Sequence, residues 1–307
     1  MPKVTIIGAG QTGATTAHWL AERELADIVL IDVIEGLPQG KGLDLLQAMP
    51  IIGSDARVVG TNDYSETQGS DLIVLTAGLP RKPGMSRDDL LEANSKIVRE
   101  AVEKSLAVSP DAILVVLTNP LDPMAYLAMK VGGLPRHRII GQAGILDSAR
   151  MCAFVASELQ VSVQNVHCYV LGGHGDEMVP LTRHSNVAGV SLDRALSADR
   201  LASIVDRTRK GGGEIVGLLK TGSAFYAPAA ALAQMVEAIL LDRHLVVPVS
   251  AYLEGEYGLK GLFFGVPAQL GRHGLEKVVE YELNEDERRA LELSAGKVRE
   301  AIQALKI

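Results

Sequence analysis

Two cysteines, Cys152 and Cys168, are all that the 307 residues hold, too few and too isolated for a disulfide framework or a zinc site. No polybasic tract appears and the formal net charge is −7, which argues against a nucleic-acid partner. No apolar run reaches the length of a membrane span; the segment from Ala227 to Leu241 is broken by Gln234 and Glu237. The amino terminus lacks the charged lead, apolar core and cleavage site of a secretion signal, because its apolar run stops at Gly8. Internal repeats and low-complexity tracts are missing as well. Together these absences predict a soluble chain in a reducing, cytoplasmic setting, with neither membrane nor nucleic acid as partner. What is present is a 47% hydrophobic composition, which excludes disorder, and a length sufficient for two domains.

Val4-Thr5-Ile6-Ile7 is a short buried-strand pattern that runs directly into Gly8-Ala9-Gly10-Gln11-Thr12-Gly13. A helical stretch follows, with Ala14, Ala17, His18, Leu20 and Ala21 at helical spacings, and then a second strand, Ile28–Ile31, that ends on Asp32. Dinucleotide binding requires this order. Gly8 permits the tight turn, Gly10 lets the backbone approach a pyrophosphate, and Gly13 lets the helix pack closely on the sheet. The helix amino terminus then faces the phosphate charge. Asp32 sits where a carboxylate accepts hydrogen bonds from both ribose hydroxyls and repels a 2′-phosphate, which favours NAD over NADP.

Further strand patterns occur at Arg57-Val58-Val59, Asp71–Thr76 and Ile113–Thr118. Between the last two lies an amphipathic helix with Leu90, Leu91, Ile97, Val98, Ala101, Val102 and Leu106 on one side; Ser86 and Asp89 form a capping box at its start. Near-continuous apolar strands separated by such helices predict a doubly wound α/β Rossmann domain, a parallel sheet covered on both faces, over residues 1–143. After about Gly144 the helices lengthen and the strands become irregular, which predicts an α+β substrate and catalytic domain over 144–307, ending in a helix from about Asn284 to Leu305.

Several polar groups interrupt these patterns. Arg81-Lys82-Pro83-Gly84-Met85-Ser86-Arg87 sets two arginines six positions apart on a loop containing Pro83 and Gly84, suited to a flap that carries positive charge onto a small anion. A basic surface loop is the plainer reading. Asn119, in Thr118-Asn119-Pro120, stands at the carboxyl end of a strand, where ligands bind in such sheets, though it also fits a loop cap before proline. Asp147 and Arg150, three apart in the helical stretch Ile145–Leu159, share one face, either as a solvated ion pair or as part of a site. His174 lies among Gly172, Gly173 and Gly175, a bent backbone that can hold an imidazole into a cleft or simply make a turn. Thr221-Gly222-Ser223 either floors a small pocket or begins the next helix.

Taken together these residues resemble the lactate/malate dehydrogenase family, within it the malate branch of the lactate-dehydrogenase-like type. The resemblance spans essentially the whole chain. Its most specific pieces are Ala77-Gly78, Arg81–Arg87, Thr118-Asn119-Pro120, Gly141-Gln142, Leu146–Arg150 and Gly172–Asp176. It implies that NAD binds the sheet domain at Gly8, Ala9, Gly10, Gln11, Thr12, Gly13, Asp32, Asn94, Leu117, Thr118 and Asn119. It implies His174 as acid/base, Asp147 as its orienting carboxylate, Arg150 as the clamp on the substrate's C1 carboxylate and Arg87 as the group polarising the reacting carbonyl. Asn119 would hydrogen-bond the substrate oxygen. It further implies a homo-oligomer, dimer or tetramer, no metal, and a place in the tricarboxylic acid cycle.

Arg81 then bears on the substrate. Lactate-specific relatives typically carry glutamine at this position, whereas a guanidinium asks for a second carboxylate, as in the dicarboxylates malate and oxaloacetate. Closing over pyruvate would leave Arg81 desolvated and unpaired at a cost of about 2–5 kcal/mol, or roughly 30- to several-thousand-fold in discrimination. The expected activity is reversible oxidation of (S)-malate. Another 2-hydroxy acid dehydrogenase, such as a lactate dehydrogenase, is the near alternative. An NAD-dependent glycoside hydrolase is the remote one, since it would need a metal held by a cysteine and a histidine such as Cys168 and His174.

Overall fold

The apolar strands of the first half pair in parallel, and their chain order puts a helix between most neighbours. In the computed structural model, which describes residues 1–80 and 86–306 and only the backbone of Arg87, the elements run β1 (Lys3–Ile7), α1 (Gln11–Glu22), β2 (Asp27–Ile31), α2 (Leu37–Ile52), β3 (Val58–Thr61), β4 (Leu72–Leu75), α3 (Arg87–Val108), β5 (Ile113–Val116), α4 (Leu121–Gly132) and β6 (Ile139–Gly141). The second half continues with α5 (Gly144–Leu159), β7 (Val166–His167), β8 (Val170–Leu171), β9 (Val179–Pro180), β10 (Asn186–Val187), β11 (Val190–Ser191), α6 (Leu192–Ala195), α7 (Ala198–Leu219) and α8 (Tyr226–Leu240). It closes with β12 (Leu245–Glu254), β13 (Lys260–Gly271), β14 (Gly274–Val278) and α9 (Glu285–Gln303).

The six parallel strands lie in the order β3-β2-β1-β4-β5-β6, so the chain reverses direction across the sheet between β1 and β4. In open sheets of this kind the crevice at that reversal, outside the carboxyl ends of the strands, is where ligands bind. Both faces are covered. Val4, Ile6, Leu72, Val74 and Val115 point into one buried cluster, which also takes in Leu232, Met235 and Val236 of α8. Ile7, Ile73, Leu75, Leu114 and Val116 point into the other, against Val98 and Val102 of α3 and Met124 and Leu127 of α4. Burial on two sides is why these strands read as unbroken apolar runs rather than as alternating ones.

One feature departs from the sequence expectation. The sheet does not end with the parallel strands: β12 pairs antiparallel with β6, and β13 and β14 extend it to nine strands. The second half therefore contributes strands to the same mixed sheet, and their side chains complete its core at Phe263, Phe264 and Val249. A full burial of each such side chain is worth about 1.5–3 kcal/mol, so this shared core ties the two halves together. The Ser86–Asp89 capping box is present at the start of α3, and α9 begins after Asn284 with its own box to Glu287. Among the described residues, no helix is long and apolar enough to cross a membrane.

Candidate active site

The glycine-rich turn joins β1 to α1 at the sheet's reversal point. A Cβ at Gly13 would overlap the carbonyl oxygen of Gly8, so only glycine lets α1 begin this close to the strand. Gly10 caps α1 without a side-chain hydrogen bond, no acid stands in the helix's first turn, and the space beside Gly10 is open. Gln11 is exposed and Thr12 half-buried at this terminus. Its backbone N–H groups and the positive end of the helix dipole thus face an unfilled space, the arrangement that receives a phosphate. At the end of β2, Asp32 accepts the Ala9 N–H at Oδ2 (2.7 Å) and the Ile34 N–H at Oδ1 (3.0 Å). Lys41 of α2 donates from Nζ to the Ala9 carbonyl (2.8 Å). Burial holds its ammonium below the usual lysine range, with Asp32 pulling the other way. The set fits a dinucleotide with free ribose hydroxyls: a phosphate cradle, and a carboxylate at the next strand end.

Across the reversal, β5 leads into Leu117, Thr118 and Asn119. Leu117 donates its N–H to Leu75 (2.9 Å), the Thr118 hydroxyl donates to the Ala77 carbonyl (2.6 Å), and Asn119 is exposed at the strand end. Asn94, 1% exposed on α3, lies beneath these residues rather than open to the crevice. Its Nδ2 donates to the carbonyls of Leu79 (3.2 Å) and Asn119 (2.6 Å), and its Oδ1 accepts the Leu79 N–H (2.8 Å). The amide fastens the segment after β4 to the strand end that presents Asn119. Arg81 lies outside the described residues; Arg87 is the first residue of α3.

The second half brings three of the predicted residues together. Asp147 sits in the first turn of α5, where the helix dipole favours an acid, and only 3% of its side chain is accessible. Its Oδ2 engages Nδ1 of His174 (2.9 Å), and its Oδ1 accepts from the Arg150 guanidinium (3.3 Å). One buried carboxylate therefore serves both partners, one oxygen each. The imidazole retains 21% accessibility. Burial pushes its pKa down, but the Asp147 charge and hydrogen bond, with a contribution from Asp122, more than offset burial and hold it above the ordinary histidine value.

The loop bearing His174 is fixed along its backbone: Gly172 N–H to the Gly265 carbonyl (2.9 Å), Gly173 N–H to the Ser294 hydroxyl (2.9 Å) and His174 N–H to Asp122 Oδ2 (3.1 Å). Positive φ angles at Gly172 (92°) and Gly175 (126°) make the bend. Arg150 donates a second bond to the Thr208 carbonyl (3.4 Å), and its stem lies against Gly211 of α7, where a Cβ would collide with Arg150 Cδ.

Asp122, Gly211 and Lys41 carry weight here that sequence reading did not assign to them. Asp122 stands three residues past Asn119, where an acid in a helix's first turn reads as ordinary dipole compensation. Gly211, within Gly211-Gly212-Gly213 in mid-helix, was the one visible signal, because glycine costs a helix about 1 kcal/mol against alanine and needs a reason. Thr221-Gly222-Ser223 is exposed in the turn after α7, and α8 begins only at Tyr226. Cys168, which a metal-dependent glycosidase would need beside His174, is buried in an apolar cluster with Met151, Val155 and Val170.

Residues 2–141 match the family model described as lactate/malate dehydrogenase, NAD binding domain, and residues 145–306 the one described as lactate/malate dehydrogenase, alpha/beta C-terminal domain. A malate dehydrogenase of Roseiflexus sp. (strain RS-1) is 57% identical over 305 residues, 99% of each chain. Among solved structures, malate dehydrogenase from Cryptosporidium parvum superposes with a TM-score of 0.97 at 43% identity, covering 99% of each chain. The lactate dehydrogenase of the same organism, complexed with lactic acid and nicotinamide adenine dinucleotide, superposes at 0.96 with 40% identity over 98% of this chain and 97% of its own. The chain belongs to the lactate/malate dehydrogenase family.

Proposed function

We propose that the chain catalyses the reversible, NAD-dependent oxidation of (S)-malate to oxaloacetate. The observation that carries this reading is the Asp147 carboxylate shared between His174 and Arg150, an acid/base and an anion clamp held by one buried group. NAD, when bound, supplies the hydride acceptor at its nicotinamide; the turn from Gly8 to Gly13 and Asp32 would hold its pyrophosphate and ribose. Because Nδ1 of His174 is occupied by Asp147, Nε2 is the ring atom free to take the hydroxyl proton of malate and to return it to the carbonyl oxygen in the reverse direction. Asp147 stabilises the imidazolium while the proton resides on the ring. Arg150 receives the C1 carboxylate, and Asn119 at the end of β5 hydrogen-bonds the substrate oxygen. Arg87 polarises the reacting carbonyl, and Arg81 supplies a guanidinium for the second carboxylate of the substrate.

Support for a dicarboxylate over a 2-oxo monoacid comes from two sides. Relatives 57% identical carry the name malate dehydrogenase, and the sequence has arginine at position 81 where a neutral amide would suit pyruvate. The same reading includes a homo-oligomer, a cytoplasmic setting and a role in the tricarboxylic acid cycle. Self-association is supported by the large apolar side chains left exposed on α2 and its lead-in, among them Val33, Leu43 and Ile51.

The test is NADH oxidation with oxaloacetate and with pyruvate, side by side at equal concentration. A strong preference for oxaloacetate is expected. A preference for pyruvate would retain the acid/base chemistry and overturn the dicarboxylate assignment.

A further inference from the structure

Asp122 is the second residue of α4, 3% exposed, and among the described residues no lysine or arginine pairs with it. Its Oδ1 accepts the Ser250 hydroxyl (2.6 Å) from β12 and its Oδ2 accepts the His174 backbone N–H (3.1 Å). Burial raises its carboxyl above the usual carboxylate range, with these two bonds pulling it back down. An acid buried without a lysine or arginine partner is expensive to keep. Neutral side chains could have met a serine hydroxyl and one N–H at lower cost, so the position calls for a reason that uses the charge.

We propose that Asp122 is a positioning residue for His174, clamping the histidine loop onto the helix that follows Asn119 and placing a second negative charge behind the imidazole. Two connections make the clamp. The carboxylate reaches across from the strand–helix unit of the first half to the Gly172–Gly175 loop of the second, a sequence separation of 52. It also lies three residues after Asn119, in the turn that continues directly from that strand end. The acid/base and the strand end expected to hold the substrate oxygen are thereby set in one register, with misplacement of reacting groups by as little as about 1 Å known to cost about two orders of magnitude in rate.

The division of labour between the two acids follows from where each bonds. Asp147 grips Nδ1 and decides which way the ring faces; Asp122 grips the main chain and decides where the ring stands. Among the described residues, the charged groups acting on the imidazole are Asp147 and Arg150 from α5 and Asp122 from α4, two negative and one positive. Removing the Asp122 charge leaves Asp147 balanced against Arg150 and burial less opposed. His174 should then give up its proton at lower pH.

This inference rests on His174 being the acid/base, so the experiment carries a control for that reading. The pH dependence of kcat/KM for oxaloacetate reduction is measured for the parent enzyme, Asp122→Asn, Ser250→Ala and His174→Asn, with NADH binding followed by fluorescence and folding by thermal melting. Oxaloacetate reduction needs protonated His174, so its activity falls as pH rises through the histidine pKa. In Asp122→Asn that falling limb is expected about half to one unit lower, with kcat down roughly tenfold and NADH affinity unchanged. Ser250→Ala keeps the carboxyl group and the acceptor for the His174 N–H and removes only one bond that favours the charge, so its limb should move less than that of Asp122→Asn. A limb that does not move in Asp122→Asn, or that moves equally in Ser250→Ala, overturns the proposal and reduces Asp122 to a packing group. Should the asparagine variant not fold, Asp122→Ser also removes the charge while keeping an acceptor, and the same shift is required of it. Retained turnover in His174→Asn would instead refute the acid/base reading itself.

Discussion

Replacing Asp147 with asparagine tests the centre of the site, because one buried carboxylate serves two cations there. Its oxygens lie 2.9 Å from Nδ1 of His174 and 3.3 Å from the Arg150 guanidinium. Unit charges about 4 Å apart interact by about 4 kcal/mol at an effective dielectric constant of about 20. Losing that attraction lowers the His174 pKa, because the Asp147 charge is what offsets burial there. Burial, which already opposes the charged ring, is then the larger influence. For oxaloacetate reduction the falling limb of kcat/KM is expected to move down by one to three units, and the rate at neutral pH to drop roughly 10- to 1000-fold. NADH binding, which depends on the other side of the crevice, should persist.

Stability gives a second readout with a definite sign. In the parent enzyme the folded-state pKa of His174 is raised, so its contribution is full below the unfolded histidine value and is lost as pH rises through the folded one. In Asp147→Asn burial depresses the folded pKa, and the contribution should instead grow as pH rises through the unfolded value. The difference in Tm between parent and variant, in which groups common to both cancel, should therefore shrink from acid to neutral pH. A kinetic limb that stays in place, together with a pH-independent Tm difference, would refute the reasoning that Asp147 acts on the imidazole through its charge.

Three further substitutions probe the surroundings. Arg81→Gln should reduce the preference for oxaloacetate over pyruvate by roughly 30- to several-thousand-fold; an unchanged ratio of kcat/KM values would place specificity elsewhere. Gly211→Ala adds a Cβ where the stem of Arg150 lies, so KM for oxaloacetate should rise about tenfold or more, although alanine favours the helix itself by about 1 kcal/mol. An unaltered KM would show that Arg150 can be displaced without cost. Gln142, 1% exposed after β6, has neither polar atom of its amide bonded among the described residues. Gln142→Met, similar in volume and free of polar demand, should stabilise the fold by about 1–3 kcal/mol, seen as a higher Tm; a lower one would reveal a bonded amide.

Periodicity and local chemistry carried much of the fold into view. The unit from Val4 to Asp32 was readable because each part has a local requirement: apolar burial for the strands, glycine at the turn, an acid after β2. The capping box at Ser86 and Asp89 was readable for the same reason, since both partners lie within one helical turn. Strand pairing beyond the parallel run was not. β12 and β13 carry the near-continuous burial of strands covered on both faces, but nothing local says that β12 will seat against β6, more than a hundred residues earlier.

The candidate site divides along the same line. Spacing alone put Asp147 and Arg150 on one helix face, and glycines marked the loop of His174 as a bend. The choice between a solvated ion pair and a buried, shared carboxylate was open until the fold supplied the neighbours. Asn94 could be assigned to the neighbourhood of the site from its place in the chain, whereas its work beneath Asn119 is visible only in three dimensions.

The sequence by itself determined the strands and helices of the first half, the glycine-rich turn with its acid at Asp32, and the identities of the groups able to move a proton or hold an anion. These depend on interactions within a few residues, where spacing and backbone geometry are set by the chain. Tertiary structure alone decided that Asp147 meets His174 across 27 positions, that Asp122 meets the same loop across 52, and that Gly211 makes room for Arg150. Such contacts join segments whose separation in sequence carries no distance information. They exist because packing the nine-stranded sheet and its helices brings those segments side by side.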